Sequence, residues 1–305
     1  MNTTNPFHPG ERAVQARTGE EQKARRNGLI IADRIPNGAL NFVNKQPMVV
    51  ASSVDGDGQI WTSLLAGRPG FIVAETPLLV NLDTNRLVSA RDDIFWANVA
   101  NKPAVGLLFI ELRSRRRLRV NGRLVMKGSQ WRLTVGEAFA NCPQYIQRRE
   151  MEITAPVSLL DAPTATGPEL TDELTRWIER ADTFFVGSAH DAEHIDTSHR
   201  GGNPGFVRVE NARTLLVPDY RGNSMFNTLG NLAVNPVAGL LFVNFDTGET
   251  LQLTGRAELL FGQPGQADDT GGTGRHWRFQ IRSWRQQASL RSIEWTFGDY
   301  SPYNV

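Results

Sequence analysis

Two stretches of the chain repeat each other in order and register, and this limits the fold more than any other feature. MVVASSVDGDGQIWTSLLAGRPGFIV near residue 50 returns as FFVGSAHDAEHIDTSHRGGNPGFVRV near residue 185. NKPAVGLLFIELRSRRRLRVNGRLV (101–125) returns as NPVAGLLFVNFDTGETLQLTGRAEL (235–259). Shared residues give offsets of 136 (Ser52/Ser188), 135 (Phe71/Phe206) and 133 (Gly106/Gly239, Gly122/Gly255). A spacing that drifts only by small insertions marks two copies of one unit, and a period this long is a duplicated domain, not a solenoid. The 305 residues suffice for two cores of ordinary size.

Each copy reads as the same series of elements. A short helix (37–46; 171–181) comes first, and Thr171 followed by Asp172 and Glu173 supplies an N-cap and an acidic first turn. A strand (48–54; 184–190), a turn (Asp55-Gly56-Asp57-Gly58; Asp191-Ala192-Glu193) and a second strand (59–65; 194–200) make a hairpin. Gly-Pro-Gly punctuation breaks that strand before the next begins at Phe71 or Phe206. A fourth strand (77–82; 214–218) and a helix (92–100; 223–233) lead to a closing hairpin (104–112 with 117–126; 237–245 with 250–260). Residues 131–135 and 277–281 alternate apolar and polar, as a half-buried strand does. Short antiparallel strands with two small helices per copy predict a small barrel in each. The expected divisions are an N-terminal arm (1–46) with a charged helix from Glu20 to Arg26, a first barrel (47–160), a linker (161–170) and a second barrel (171–305). Residues 261–274 read as a loop inside the second copy.

Composition narrows the function classes. With 33 Lys+Arg against 32 Asp+Glu the formal net charge is +1, which argues against a dedicated nucleic-acid binder. The single cysteine rules out an intrachain disulfide. The first residues lack the basic and apolar regions of a secretory signal, and no apolar run approaches the roughly 18 residues that span a bilayer. The expectation is a cytoplasmic protein without a membrane or nucleic-acid partner.

No phosphate loop, dinucleotide fingerprint or nucleophile elbow is present; Gly222-Asn223-Ser224-Met225-Phe226 lacks the second glycine. His190, His194 and His199 cluster in sequence with Asp191, Glu193 and Asp196, a set that suits zinc or iron. His190 and His194 straddle a hairpin turn, however, so the set reads as edge or ligand-contacting residues and no metal is expected. Arg113, Arg115, Arg116, Arg117, Arg119 and Arg123 read as a solvated strand edge, with a polyanion patch as the alternative. Cys142 reads as a buried structural thiol. The richest segments are Asp196-Thr197-Ser198-His199-Arg200 and Tyr220-Arg221-Gly222-Asn223-Ser224. The first can hydrogen-bond along the edge of a flat heteroaromatic. The second offers a bidentate Arg and free N–H groups at a helix start, which suit a phosphate, unless Asn223 merely caps its helix and Arg221 is solvated.

In this order the segments resemble the pyridoxamine-phosphate-oxidase-like, FMN-binding split-barrel family. The resemblance rests on the hairpin, the Gly-Pro-Gly-Phe break, Arg-Gly-Asn-Ser before a helix reading Asn-Leu-x-x-Asn-Pro, Gly239-Leu240-Leu241-Phe242 and Leu251-Gln252-Leu253-Thr254-Gly255-Arg256-Ala257. Phe7-His8, Ser63-Leu64-Leu65-Ala66-Gly67, Arg117-x-Arg119 and Asn141-Cys142-Pro143 resemble its double-barrel members, some of which are fused to ferredoxin-reductase-like modules. The resemblance implies a mainly β (α+β) fold of two tandem six-stranded antiparallel split β-barrels with short flanking helices. It implies FMN in a groove between two barrels, so that one chain forms a pseudo-dimer, with a homodimer left open. By residue, it assigns the cofactor edge to Asp196, Thr197, Ser198, His199 and Arg200, and the phosphate loop to Tyr220, Arg221, Asn223 and Ser224. Copy one matches only loosely, through Arg86, Ser89 and Arg91, so the second copy is expected to hold the flavin. The implied activity is FMN-dependent oxidation or reduction of a small-molecule substrate or electron acceptor, with catalytic residues unassigned. The alternatives are a non-catalytic flavin-binding or electron-transfer module serving a separate reductase, and a deazaflavin or haem ligand.

Overall fold

The structure is a computed structural model that describes residues 5–89, 92–127, 130–154, 164–262, 268–287 and 293–305. The first unit contributes β1 (Met48–Val54), β2 (Ile60–Ala66), β3 (Ile72–Thr76), β4 (Leu79–Leu82), β5 (Ala104–Glu111), β6 (Arg116–Lys127) and β7 (Gln130–Ala140). After β8 (Arg149–Ile153) and β9 (Thr164–Gly167), the second unit adds β10 (Thr183–Ala189), β11 (Ile195–Gly201), β12 (Arg208–Asn211), β13 (Thr214–Pro218), β14 (Val237–Val243), β15 (Thr250–Phe261) and β16 (Arg275–Gln287). The sheets run β2-β1-β5-β6-β7-β4-β3 and β11-β10-β14-β15-β16-β13-β12, the same antiparallel order twice. These are the two tandem split-barrel-like units. Each path holds seven strands where six-stranded barrels were expected, and the short β3–β4 and β12–β13 hairpins end the sheets.

Register corrects one detail of the repeat. Ser53 and Ser188 each accept a hydrogen bond from the fifth residue of the helix that follows, Asn98 and Asn231, both at 3.0 Å. Ser53, not Ser52, is therefore the counterpart of Ser188, and the offset here is 135.

The apolar runs are continuous because central strands are covered on both faces. One face of β1 and β5 packs into the first core around Val49, Leu107 and Phe109, and one face of β10 and β14 into the second around Phe184, Leu240 and Phe242. The other faces meet each other through Val50, Leu108, Phe185 and Leu241. At the centre of this contact, Thr62 Oγ1 donates to Gly239 O at 2.9 Å, and Thr197 Oγ1 donates to Gly106 O at 2.6 Å. A Cβ on Gly106 would lie 2.5 Å from Ile195 O, and one on Gly239 would lie 2.4 Å from Ile60 O. The repeated glycine of the Gly-Leu-Leu-Phe motif thus marks where one backbone presses on the other.

The arm forms two helices, α1 (Pro9–Thr18) and α2 (Glu21–Asn27), of which only the second was expected. His8 and Glu11 make a capping box around Pro9, a start signal that the sequence carries. After α3 (Leu40–Asn44), α4 (Ile94–Asn101) and α5 (Asp172–Arg180), helix α6 (Asn227–Val234) receives α1 at close range, since a Cβ on Gly10 would meet Gly230 O at 2.2 Å. Within the expected linker, β9 pairs with β16. β17 (Ile293–Phe297) pairs with β8, tying the C-terminal segment to the end of the first unit. Among the described residues no helix is long and apolar enough to cross a membrane.

Candidate functional site

A cleft open to solvent lies where β11 and the start of α6 face β6 of the first unit. Strand alternation aims the side chains. On β6, Leu118 and Val120 enter the first core, while Arg117 and Arg119 face across to the second unit. Arg119 donates to Asn227 Oδ1 at 3.2 Å and to Ser198 Oγ, and lies 3.7 Å from Asp196. Arg117 Nη1 stands 3.3 Å from His199 Nδ1 and 3.5 Å from the His199 carbonyl oxygen. Arg200 donates to Asp219 at 2.8 Å, and Asp219 also accepts from Arg275 Nε at 2.8 Å.

Electrostatics follow from burial. His199 is 5% exposed, and burial followed by the nearby Arg117 and Arg200 holds its pKa well below the ordinary value, so the ring is neutral. With Nδ1 facing an Arg117 donor, the ring proton belongs on Nε2, which has no partner. Burial and the adjacent Arg119 push Arg117 down to about 9, which leaves it charged at neutral pH. The Nε groups of Arg117, Arg119 and Arg200 and both polar atoms of the Asn141 amide are buried and find no partner among the described residues. Behind Arg119, burial and mutual repulsion with Asp196 raise Glu11 to about 7 and Glu137 to about 8.

The remaining wall is unusual in its backbone. Tyr145, Ser224 and Phe226 are non-glycine residues at φ 64°, 64° and 59°, and all three line the cleft. Strain of this kind persists only where the surroundings hold it. Here Tyr145 Oη donates to Arg221 O at 3.0 Å, Asn27 donates to Asn223 O at 2.6 Å, and Ser224 Oγ donates to Glu20 of the arm. The Tyr145 and Tyr220 rings lie 5.0 Å apart and present an aromatic surface.

Of the residues singled out from sequence, Ser198, His199, Arg200, Tyr220, Asn223 and Ser224 line this cleft. Thr197 does not; it is fully buried and bonded to Ser52 and Gly106 between the units. Asp196 is held by Asn121 at 2.7 Å and Asn231 at 3.3 Å, outside the cleft lining. Arg221 is exposed and borders a neighbouring depression with Glu20, Lys23 and Arg275. Two expectations need correction. Arg117 and Arg119 are not solvated edge residues, because the other unit covers them; their spacing of two, with Leu118 between, was the available signal. Cys142 is half-buried on the cleft wall, not a core thiol.

The equivalent place in the first unit is built differently. Leu64, Leu65 and Gln252 stand where the second site has His199, Arg200 and Arg119, as the paired registers require. Leu64 and Leu65 are buried, and Gln252 Nε2 donates to Thr62 O at 3.0 Å and Ser63 Oγ at 2.8 Å. Arg86 donates to Pro69 O, and Ser89 accepts from the Ala66 amide; Arg91 lies outside the described residues.

This arrangement, two split-barrel-like units with a cationic cleft between them, defines a class of protein. Residues 170–289, which make up most of the second unit, match the family model described as pyridoxamine 5'-phosphate oxidase. No curated protein matches the chain. Among solved structures, HupZ of Group A Streptococcus is 13% identical, with 37% of this chain and 89% of that one covered and a TM-score of 0.31. A putative pyridoxamine 5'-phosphate oxidase of Lactobacillus delbrueckii is 11% identical, with 39% and 94% covered and a TM-score of 0.32. A FAD-binding protein of Mesorhizobium loti is 14% identical, with 42% and 99% covered and a TM-score of 0.31.

Proposed function

We propose that the chain is an FMN-dependent oxidoreductase that binds one flavin in the cleft between β11 and β6 and acts on a small-molecule substrate or electron acceptor. The observation that carries this reading is the set of unpartnered buried donors, the Nε groups of Arg117, Arg119 and Arg200 and Nε2 of His199. Buried donors without acceptors are costly, and a ligand rich in acceptors and negative charge offsets that cost. FMN has both, in its phosphate and in the carbonyl-bearing edge of its ring.

FMN when bound supplies hydride or electron transfer, and the protein supplies orientation and electrostatics. Arg117 and Arg119 would hold anionic groups, and neutral His199 would donate from Nε2. The Tyr145–Tyr220 pair offers a flat surface, and the loop 220–226, braced by the arm, closes the wall. Asn223 and Ser224 reach this cleft whereas Arg221 borders the neighbouring depression, so the charge that holds the phosphate would come from Arg117 and Arg119 of the first unit. The visible spectrum of the purified chain and a titration with FMN test the reading. Saturable binding that weakens at least tenfold in Arg117→Ala is expected; absence of flavin and of FMN binding overturns it. Oxidation of reduced flavin by an added acceptor, without a separate reductase, separates an enzyme from an electron-transfer module.

A further inference from the structure

The hairpin between β10 and β11 brings together a donor set that lies apart from the cleft. His199 does not belong to it; His190, Asp191 and His194 do. The two histidines straddle the hairpin turn, as expected, and the turn folds one ring onto the other. Their centroids are 4.7 Å apart at an interplanar angle of 18°. Asp191 lies between them. Its Oδ1 accepts from the backbone N–H of Glu193 at 2.8 Å and of His194 at 2.9 Å, so the turn itself orients the carboxylate. Oδ2 is 3.2 Å from His190 Nε2 and 3.0 Å from His194 Nδ1, which also lies 2.8 Å from Oδ1.

We propose that His190 Nε2, Asp191 Oδ2 and His194 Nδ1 form a binding site for a divalent transition-metal ion of the zinc type. Metal–ligand bonds of about 2.1 Å place neighbouring donors roughly 3.0–3.6 Å apart, and the two separations from Oδ2 already fall there. All three donor atoms lie within 4.8 Å of one another, so closure around an ion needs only side-chain adjustment. Two imidazoles with one carboxylate favour zinc, nickel or copper over magnesium or calcium, which prefer all-oxygen sets.

The surroundings support His190 in this role. His8 of the arm stacks on the outer face of the His190 ring, with centroids 4.2 Å apart at 17°. His8 is not itself a free ligand, since Nδ1 accepts from Gly10 N at 3.1 Å and Nε2 bonds Asn231 at 3.0 Å. It acts as a wall that orients the neighbouring imidazole, the part outer groups play at metal sites. Asp191 and His194 are exposed, which leaves the remaining coordination positions to water. The ion would staple the β10–β11 turn, whose Glu193 already pairs with Arg123 of the first unit.

The test is calorimetric titration of the chelator-stripped full chain with zinc chloride, repeated with cobalt chloride followed by visible absorption. One Zn²⁺ per chain is expected, with Co²⁺ giving ligand-field bands and magnesium chloride giving no binding heat. His194→Ala and Asp191→Asn should each weaken Zn²⁺ binding at least tenfold, with circular dichroism unchanged because both positions are exposed. Absence of Zn²⁺ uptake by the wild-type chain overturns the proposal. So does undiminished uptake when His190→Gln and His194→Ala are combined.

Discussion

Arg117 of the first unit and His199 of the second meet at 3.3 Å, so neither copy of the duplicated unit holds the cleft by itself. The contact puts a cation beside a buried imidazole and keeps that imidazole neutral. Arg117→Ala removes one of the charges that depress His199, and the His199 pKa should rise. The variant should remain folded, since Arg117 makes no other side-chain hydrogen bond beyond the His199 carbonyl. NMR titration of the His199 ring in wild type and variant checks this; an unchanged pKa would mean that burial and the other nearby arginines set it without Arg117.

Stability should depend on pH in opposite senses for two sets of buried groups. His199 binds its proton less readily in the folded state, so stability is lost as pH falls below the ordinary histidine value near 6.5. Glu11 and Glu137 bind theirs more readily, with folded values of about 7 and about 8 against an ordinary 4.5. Between pH 4.5 and 8 the folded state therefore carries the extra protons, and stability declines as pH rises through that window. For Glu11 the effect is on the order of 3 kcal/mol. Glu11→Gln keeps an acceptor for Asn227 and should reduce the decline in stability between about pH 4.5 and 7 in urea unfolding. An unaltered profile would contradict the assignment.

The unit–unit contact should be intolerant of a single methyl group. Gly106→Ala places a Cβ 2.5 Å from a backbone oxygen, which cannot rotate away as a side chain could. Overpacking of this kind costs about 1–3 kcal/mol. Gly56→Ala, where a Cβ meets nothing within 4 Å, serves as the control. Urea midpoints should drop for the first and stay close to wild type for the second; equal midpoints would refute the close approach.

The arm should matter to the cleft although most of it lies outside. Glu20 accepts from Ser224 and lies 3.5 Å from Arg275, which braces a loop containing two left-handed non-glycine residues. Glu20→Ala should speed amide hydrogen exchange at Met225 and Asn227 and weaken ligand binding severalfold. Exchange that stays at the wild-type rate would show that the loop holds its conformation unaided.

The duplication and the order of elements along the chain were legible because they depend on local pattern and on a repeat visible in one dimension. Arg117 and Arg119 were not, because what covers them is a strand roughly 80 residues away, which no local pattern reports. Thr197 was assigned to the cofactor edge because strand neighbours look alike in sequence. It shares the face of His199, but two residues along the strand that face is closed against Ser52 and Gly106 of the first unit instead of opening to the cleft. Helix α1 was missed although His8, Pro9 and Glu11 announce its start, since its apolar stripe is short and is completed by α6.

The most direct test of the account is the stoichiometry of FMN binding, measured by quenching of flavin fluorescence as the purified chain is added. The second-unit cleft has unpartnered donors, whereas Leu64, Leu65 and Gln252 occupy the equivalent place in the first. One FMN per chain is the predicted result. No binding, or two equivalent sites per chain, would contradict it.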